Sequence, residues 1–450
     1  MAKETVIAIT APVSQQNRIV ILDSLRGIAI LGILLMNIPS FALPPPVQHD
    51  PSVLNEWGTI DFTTWKIVQW FPEGTQRAVF SMLFGAGILL FIGGKEKKLN
   101  GMMPADYFFR RQLWLITFSL FDVFVLLWSG DILLDYAVLG MIMFAFRNMP
   151  PKKLLICAGL CFIFMLLTEN RDLYRDKEII HRGELVAKID TSKISLTLIQ
   201  KEQLGAMEDF KNKNTLESKQ KAMKKNIEKS TGRYGDLYEY RTNRYLNQLV
   251  SYLYFGIWDV MLFMFIGMAF FKIGILTGQA SVKTYLWMTI VGLSVGLTVS
   301  WFRLQQQVDA KFNWYDYSKQ VWFSSYELSR TFRSIGILGF IMLMYKSGWF
   351  KWLFSLLRPV GQMAFTNYLI QSLLCGLFFY GVGFGMYSKL QRHEIYYVVA
   401  VVWALQIIYS NIWLHYFRFG PMEWCWRSFT YWKKQPFRKN NSVTDITGMS

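Results

Sequence analysis

Ten apolar runs, spaced along 450 residues, constrain this chain more than any other feature. They lie near residues 18–43, 75–94, 109–128, 131–147, 153–168, 249–275, 283–302, 327–346, 358–383 and 394–417. Such runs are the size of helices that cross a hydrocarbon core about 30 Å thick. In lipid the backbone must satisfy its own N–H and C=O groups, so runs of this size call for helices. The fold class expected is therefore an all-α polytopic membrane protein, a bundle of about ten transmembrane helices. With 52% hydrophobic and 17% aromatic residues, the composition agrees and argues against a water-soluble domain.

Charge gives the direction. Lys and Arg gather in the segments 95–111 (Lys95, Lys97, Lys98, Arg110, Arg111), 147–153 (Arg147, Lys152, Lys153) and 346–358 (Lys346, Lys351, Arg358), and in the tail from Arg418 to Asn441. The alternate short segments 44–74, 129–131 and 384–393 hold few, which by the positive-inside rule puts both termini in the cytoplasm. The first run is too long for the core of a cleaved signal peptide and is read as a retained span. Topology absorbs most of the net charge of +17, so no nucleic-acid partner is expected.

The expected layout is a cytoplasmic segment 1–17, a membrane bundle 18–168, a charged extracytoplasmic helical loop 169–248, a second bundle 249–417 and a basic cytoplasmic tail 418–450. The loop carries 17 Lys/Arg and 13 Asp/Glu, and long loops escape the charge rule. It reads as a solvated cap, with binding of an anionic polymer as the alternative. Residues 57–71, rich in Trp and Phe, read as an amphipathic helix at the outer interface. No internal repeat marks an inverted-repeat transporter. The four cysteines lack CxxC spacing and no zinc, P-loop or serine-elbow motif occurs, so no metal is expected.

Polar side chains within spans cost free energy unless partnered, and therefore mark functional sites or helix-to-helix contacts. On the first span Arg26 lies about 60° and Asn37 about 40° around the helix from Asp23. The three share one stripe, with Asn37 about 21 Å along the axis from Asp23. Either this stripe lines a path through the bilayer, or Asp23 and Arg26 neutralise each other and Asn37 is a cap. On the ninth span Gln362 and Thr366, then Asn367 and Gln371, form two polar ridges that bond neighbouring helices or contact a ligand. Asp122 and Asp135 add carboxylates without an assigned role. His49 follows Pro44-Pro45-Pro46, where Asp50 and Glu56 are near enough in sequence to tune a general base; a plain surface histidine is the alternative.

Several segments resemble a known family: Leu22-Asp23-Ser24-Leu25-Arg26-Gly27, Asn37-Ile38, Phe84-Gly85-Ala86-Gly87, Thr366-Asn367-Tyr368-Leu369-Ile370-Gln371-Ser372, and Phe419-Gly420-Pro421-Met422-Glu423-Trp424-Cys425-Trp426-Arg427. Together they are similar to the YeiB-like family, multi-pass proteins of the bacterial inner membrane classed as a domain of unknown function. The first span also resembles that of the heparan-α-glucosaminide N-acetyltransferase family, which has an Asp-x-x-Arg-Gly pattern followed by an Asn. There an Asn at the end of the span and a His soon after belong to the active site; Asn37 and His49 fall at nearly that spacing, although the Pro-rich segment between them departs from the family's Gly-rich one.

This second resemblance implies transfer of an acyl group from cytoplasmic acetyl-CoA or another acyl-CoA to a hydroxyl or amine on an extracytoplasmic small molecule or sugar. His49 and Asn37 would be catalytic. Asp23, Arg26, Arg110, Arg111, Arg358, Asn367, Gln371 and Arg427 would contact substrate or co-substrate, with the arginines pairing to CoA phosphates; for any one arginine, the positive-inside rule is a sufficient explanation. Two other classes fit the sequence: a transporter of a small metabolite, and a non-enzymatic envelope component. Membrane lipid surrounds the chain in every case, and a homo-oligomer is compatible with each.

Overall fold

A computed structural model describes residues 19–96, 102–190, 192, 195–254 and 256–439. The expected segment 1–17, Lys97, Lys98 and the tail from residue 440 lie outside the described residues. Regular structure within them is helical, apart from one isolated bridge between Phe417 and Arg438. In chain order the helices are α1 Val20–Ala42, α2 Pro45–Gln48, α3 Ile60–Trp70, α4 Thr75–Glu96, α5 Met103–Phe124, α6 Leu133–Met143, α7 Pro151–Ala187, α8 Leu198–Lys213 and α9 Leu216–Thr231. After them come α10 Tyr234–Tyr254, α11 Gly256–Lys272, α12 Val282–Asp309, α13 Trp314–Gln320, α14 Tyr326–Ser347, α15 Lys351–Gln362, α16 Ala364–Phe379, α17 Ile395–Tyr416 and α18 Pro421–Tyr431.

Among the described residues, helices cover most of each of the ten apolar runs. By length and composition, five stretches suffice to cross a membrane: Val20–Ala42, Ile60–Glu96, Pro151–Ala187, Val282–Asp309 and Ile395–Tyr416. Leu133–Phe146 and Ala364–Phe379 are apolar but shorter. The run 358–383 is not continuous: α15 ends at Gln362 and α16 starts anew at Ala364. Pro359 sits in the last turn of α15, and Met363 leaves helical geometry at φ −111° and ψ 28°. Proline removes a backbone donor and crowds the preceding turn, which favours such a stop.

The first helix is central. It packs on α4, α15, α16 and α17, and its apolar residues Leu22, Leu25, Ala29, Ile30, Leu34 and Ile38 belong to one large core. Close packing depends on two glycines: a Cβ on Gly361 of α15 would overlap the Asp23 carbonyl of α1, and one on Gly267 of α11 would overlap the Met82 carbonyl of α4. Small residues at such crossings let backbones approach, which is the main source of attraction where lipid is as apolar as the side chains.

The charged stretch 169–248 folds into helices that rest on the bundle. Helix α7 runs straight through residue 168, where a span end was expected, and continues to Ala187. Its Glu169 and Asn170 accept from the Ser324 hydroxyl and amide and the Tyr326 amide, fixing the turn before α14. On α9, Lys219 donates to Asp50 at 2.7 Å and to the Phe312 carbonyl at 2.8 Å. The expected helix at 57–71 forms as α3, with Trp65 buried and Ile60, Ile67, Trp70 and Phe71 exposed. Arg333 of α14 donates to the carbonyls of Gln69, Trp70 and Phe71, the unsatisfied end of α3, where a cation also meets the negative end of the helix dipole.

Candidate functional site

Two cavities open along the first helix, one at each end, inner and outer by the orientation expected from the charge pattern. The inner cavity, about 290 Å³, takes Ile19, Leu22, Asp23 and Arg26 from the start of α1. The outer cavity, about 320 Å³, takes Ile33, Met36, Asn37, Pro39 and Ser40 from its end. Ile132, just before α6, lines both. Each volume lies near the lower end of the range for ligand pockets, about 300–1,000 Å³.

The inner cavity is cationic at one end and apolar within. Lys95, Arg111 and Arg427 join Arg26 on its wall, with Phe91 against Arg111, and Phe80, Phe84, Leu115, Tyr136 and Ile132 add apolar and aromatic surface. Arg26 bonds Asp23 at 3.0 Å, and Asp23 also accepts from Gln362 at 3.2 Å. The Arg111 guanidinium lies 3.7 Å from the Trp426 ring centroid, while the Trp426 indole donates to the Arg111 carbonyl.

Glu423 joins the two C-terminal signature segments on the wall of this cavity. It accepts from the amides of Phe365 and Thr366 at 2.8 and 3.1 Å, and from the Thr366 hydroxyl. It thereby caps the start of α16, which the break at Met363 leaves with unsatisfied N–H groups. Burial nonetheless pushes its carboxyl above the ordinary value, outweighing the donors.

The outer cavity holds both residues expected to be catalytic. His49 lies on its wall with its side chain exposed. Its Nδ1 lies 3.5 Å from Gln69 Nε2 of α3. Desolvation by the protein mass around the ring holds the imidazole below its ordinary value; Glu73 opposes this, while Arg392, Arg303 and Arg244 reinforce it. Neither Asp50 nor Glu56 orients the ring. Asp50 accepts from Ser52 and Lys219, and Glu56 accepts from Arg392 at 2.6 Å. Arg392 also donates to the carbonyls of Val47 and Gln48, which clamps the turn immediately before His49.

The charged wall of this cavity is marked by no local sequence motif. Arg77 and Arg330 both pair with Asp259, and Arg330 bonds Glu327 at 2.6 Å. Glu73 accepts from the Tyr326 hydroxyl at 2.8 Å, with Arg333 and Arg303 at 3.6 and 3.9 Å. Arg330 and Arg333 stand within the apolar run 327–346, and their placement in that run was the available signal.

Of the other expected contact residues, Asp23, Arg26, Arg111 and Arg427 come together on the inner cavity, whereas Arg110, Arg358, Asn367 and Gln371 line neither cavity. Arg110 pairs with Asp106 and reaches the Thr430 carbonyl. Asn367 donates to the Val360 carbonyl and Ser410, and Gln371 to the Ile30 carbonyl and Gln406. These two are bonds between helices. Asp122 is fully buried and Asp131 nearly so, beside the apolar end of the inner cavity, where the Tyr368 hydroxyl donates to Asp131 at 3.1 Å. Among the described residues no cluster of His, Cys, Asp or Glu is arranged to hold a metal ion.

Residues 270–433 match the family described as "Protein of unknown function (DUF418)". The chain is 30% identical to "Uncharacterized protein YeiB" of Escherichia coli (strain K12), over 92% of this chain and 96% of that protein. It is 26% identical to "Uncharacterized protein YxaH" of Bacillus subtilis (strain 168), over 96% of this chain and 99% of that one. No solved structure matches it.

Proposed function

The chain belongs to the YeiB-like family of proteins of unknown function, and from that premise we propose that it is a transmembrane acyltransferase. It takes an acyl group from cytoplasmic acyl-CoA and passes it to a hydroxyl or amine on an extracytoplasmic small molecule or sugar. The observation that carries this reading is the pair of cavities meeting at Ile132, one with a cationic end and an apolar interior, the other holding His49 and Asn37.

In this reading all ten apolar runs cross the bacterial inner membrane and both termini are cytoplasmic, as the basic segments require. The CoA phosphates meet Arg26, Arg111 and Arg427; guanidinium is suited to bidentate bonds with phosphate. The pantetheine arm lies among the aromatic side chains and brings the thioester past Ile132. In the outer cavity neutral His49 removes the acceptor proton as the acceptor oxygen or nitrogen attacks the thioester carbon. Asn37 donates its amide N–H to the carbonyl oxygen as that oxygen gains charge. When the C–S bond breaks, the proton held by His49 passes to the departing sulfur, leaving the acylated acceptor and free CoA. The Arg392 clamp on the Val47 and Gln48 carbonyls holds the turn that carries the imidazole for this exchange.

Binding of acetyl-CoA to the purified protein in detergent, read as a thermal shift, tests the reading. Saturable stabilisation is expected, weaker with dephospho-CoA and retained with desulfo-CoA. A folded sample with no stabilisation by any of the three would rule out the proposal. A transporter is the second reading, favoured by the end-to-end cavities and the broken helix α15–α16. It predicts substrate flux into proteoliposomes without CoA.

A further inference from the structure

Where α10 meets the segment that follows α16 lies a buried cation without an anion. Arg241 of α10 is 1% exposed, and neither its Nε nor either Nη has a hydrogen-bond partner. Its guanidinium lies 4.3 Å from the Tyr380 ring centroid and 5.8 Å from that of Tyr387. The Tyr380 hydroxyl also lacks a partner, and those of Tyr387 and Ser230 have none beyond each other; all three residues are no more than 1% exposed. Ser230 is held beside them by the bond from the Gly381 amide to its carbonyl. Arg244, one turn along α10, is near enough for its charge to act on both phenols, and its Nη1 is buried and unpartnered too.

A guanidinium cannot shed its proton inside a protein. Dehydrating it is costly unless it is paired and hydrogen-bonded, and stacking on a ring recovers only part of that cost. Here no carboxylate among the described residues pairs with Arg241 or Arg244. We infer that this cluster is a binding site for a phosphate group. Arg241 alone offers five N–H donors, and Arg244 and three hydroxyls add more, whereas a planar carboxylate has only about four lone-pair positions. A tetrahedral oxyanion with three or more oxygens can serve such a set, and two cations match the charge of a phosphate monoester, about −1.5 to −2. In the topology proposed above the site sits at the outer edge of the bundle, where a lipid headgroup or a soluble phosphate compound can supply the same group. The inference does not rest on acyl transfer: Arg241 lines neither cavity.

The test is isothermal titration of the full chain in a phosphate-free, uncharged detergent with inorganic phosphate, dioctanoyl phosphatidic acid, dioctanoylglycerol and acetate. Saturable binding of inorganic phosphate identifies a soluble source; binding of phosphatidic acid alone, without dioctanoylglycerol, identifies a headgroup. Arg241→Gln is expected to weaken binding at least about tenfold, and Tyr387→Phe, which removes one donor and no charge, about threefold. Acetyl-CoA stabilisation, if present, is expected to be unchanged in both. The inference is overturned if neither phosphate probe binds, if acetate binds as well as phosphate, or if Tyr387→Phe and any folded Arg241→Gln sample bind like the parent.

Discussion

Replacing Arg392 by Met isolates the force that holds His49 in place. Arg392 is 3% exposed and Glu56 5%; their 2.6 Å bond is joined by bonds of 3.1 and 2.7 Å to the carbonyls of Gln48 and Val47. Removing one member of a buried pair costs about 3–5 kcal/mol, because the other charge is left uncompensated. At about 2.1 cal/mol/K per residue the unfolding entropy of a chain this long is about 0.95 kcal/mol/K, so the midpoint should fall by roughly 3–5 °C. Burial pushes the Glu56 carboxyl above its ordinary 4.5 despite the pull of Arg392, so desolvation outweighs attraction and the pair fixes geometry more than it adds stability. Arg392→Met combined with Glu56→Gln should therefore recover more than half of the loss. A folded-state pKa that is raised also sets the sign with pH: the stabilisation from Glu56 is full in acid and declines as pH rises above 4.5. Thermal unfolding of the parent, both single variants and the double variant in one detergent measures all of this. An unchanged midpoint for Arg392→Met, or a double variant less stable than Arg392→Met alone, would show that the pair does not hold this turn.

His49→Ala and Asn37→Ala should each abolish acyl transfer in proteoliposomes while the unfolding midpoint stays within about 1 °C; normal turnover in both would remove these residues from the mechanism. Because desolvation lowers the His49 pKa, the acid limb of kcat/KM should fall below pH 6.5, and an acid limb centred above 6.5 would contradict the role of neutral His49. Glu423→Ala strips the cap from α16 and should cost about 2–4 kcal/mol, against about 1–2 for Glu423→Gln, which keeps an acceptor; equal losses in thermal unfolding would show that the cap is not the cause. Gly267→Ala forces a methyl group into the Met82 carbonyl and should cost about 1–3 kcal/mol or more, checked the same way against Gly93→Ala, where nothing lies near.

Much of the framework was legible because a hydrophobic run announces itself locally. The positions of helices α1, α4, α5, α12, α14 and α17 follow directly from their apolar runs. The break at Met363 was less legible: Pro359 alone is compatible with a kink, and the cap that makes a fresh start tolerable comes from Glu423, far along the chain. The Asp23–Arg26 pair could be read because its spacing is that of one helical turn. The charged wall could not be assembled in the same way, since Arg77, Asp259 and Arg330 lie on three helices and only the fold brings them together. Asp50 and Glu56 illustrate the opposite error. Closeness in sequence made them candidates for tuning His49, but each had a stronger partner in Lys219 or Arg392.

The partners of the first helix also bear on how the protein is made. Ser24 bonds the Phe354 carbonyl 330 positions later, Asp23 accepts from Gln362 339 positions later, and Trp403 reaches the Leu31 carbonyl across 372. At a ribosomal pace of about 5–20 residues per second, roughly 20–70 s pass between the arrival of α1 and that of α15. Throughout that interval a helix carrying Asp23 and Arg26 must wait in or beside the translocon with only provisional company. Its self-neutralised pair makes the wait tolerable, and a helper that shelters incomplete helices would be needed most at this stage of synthesis.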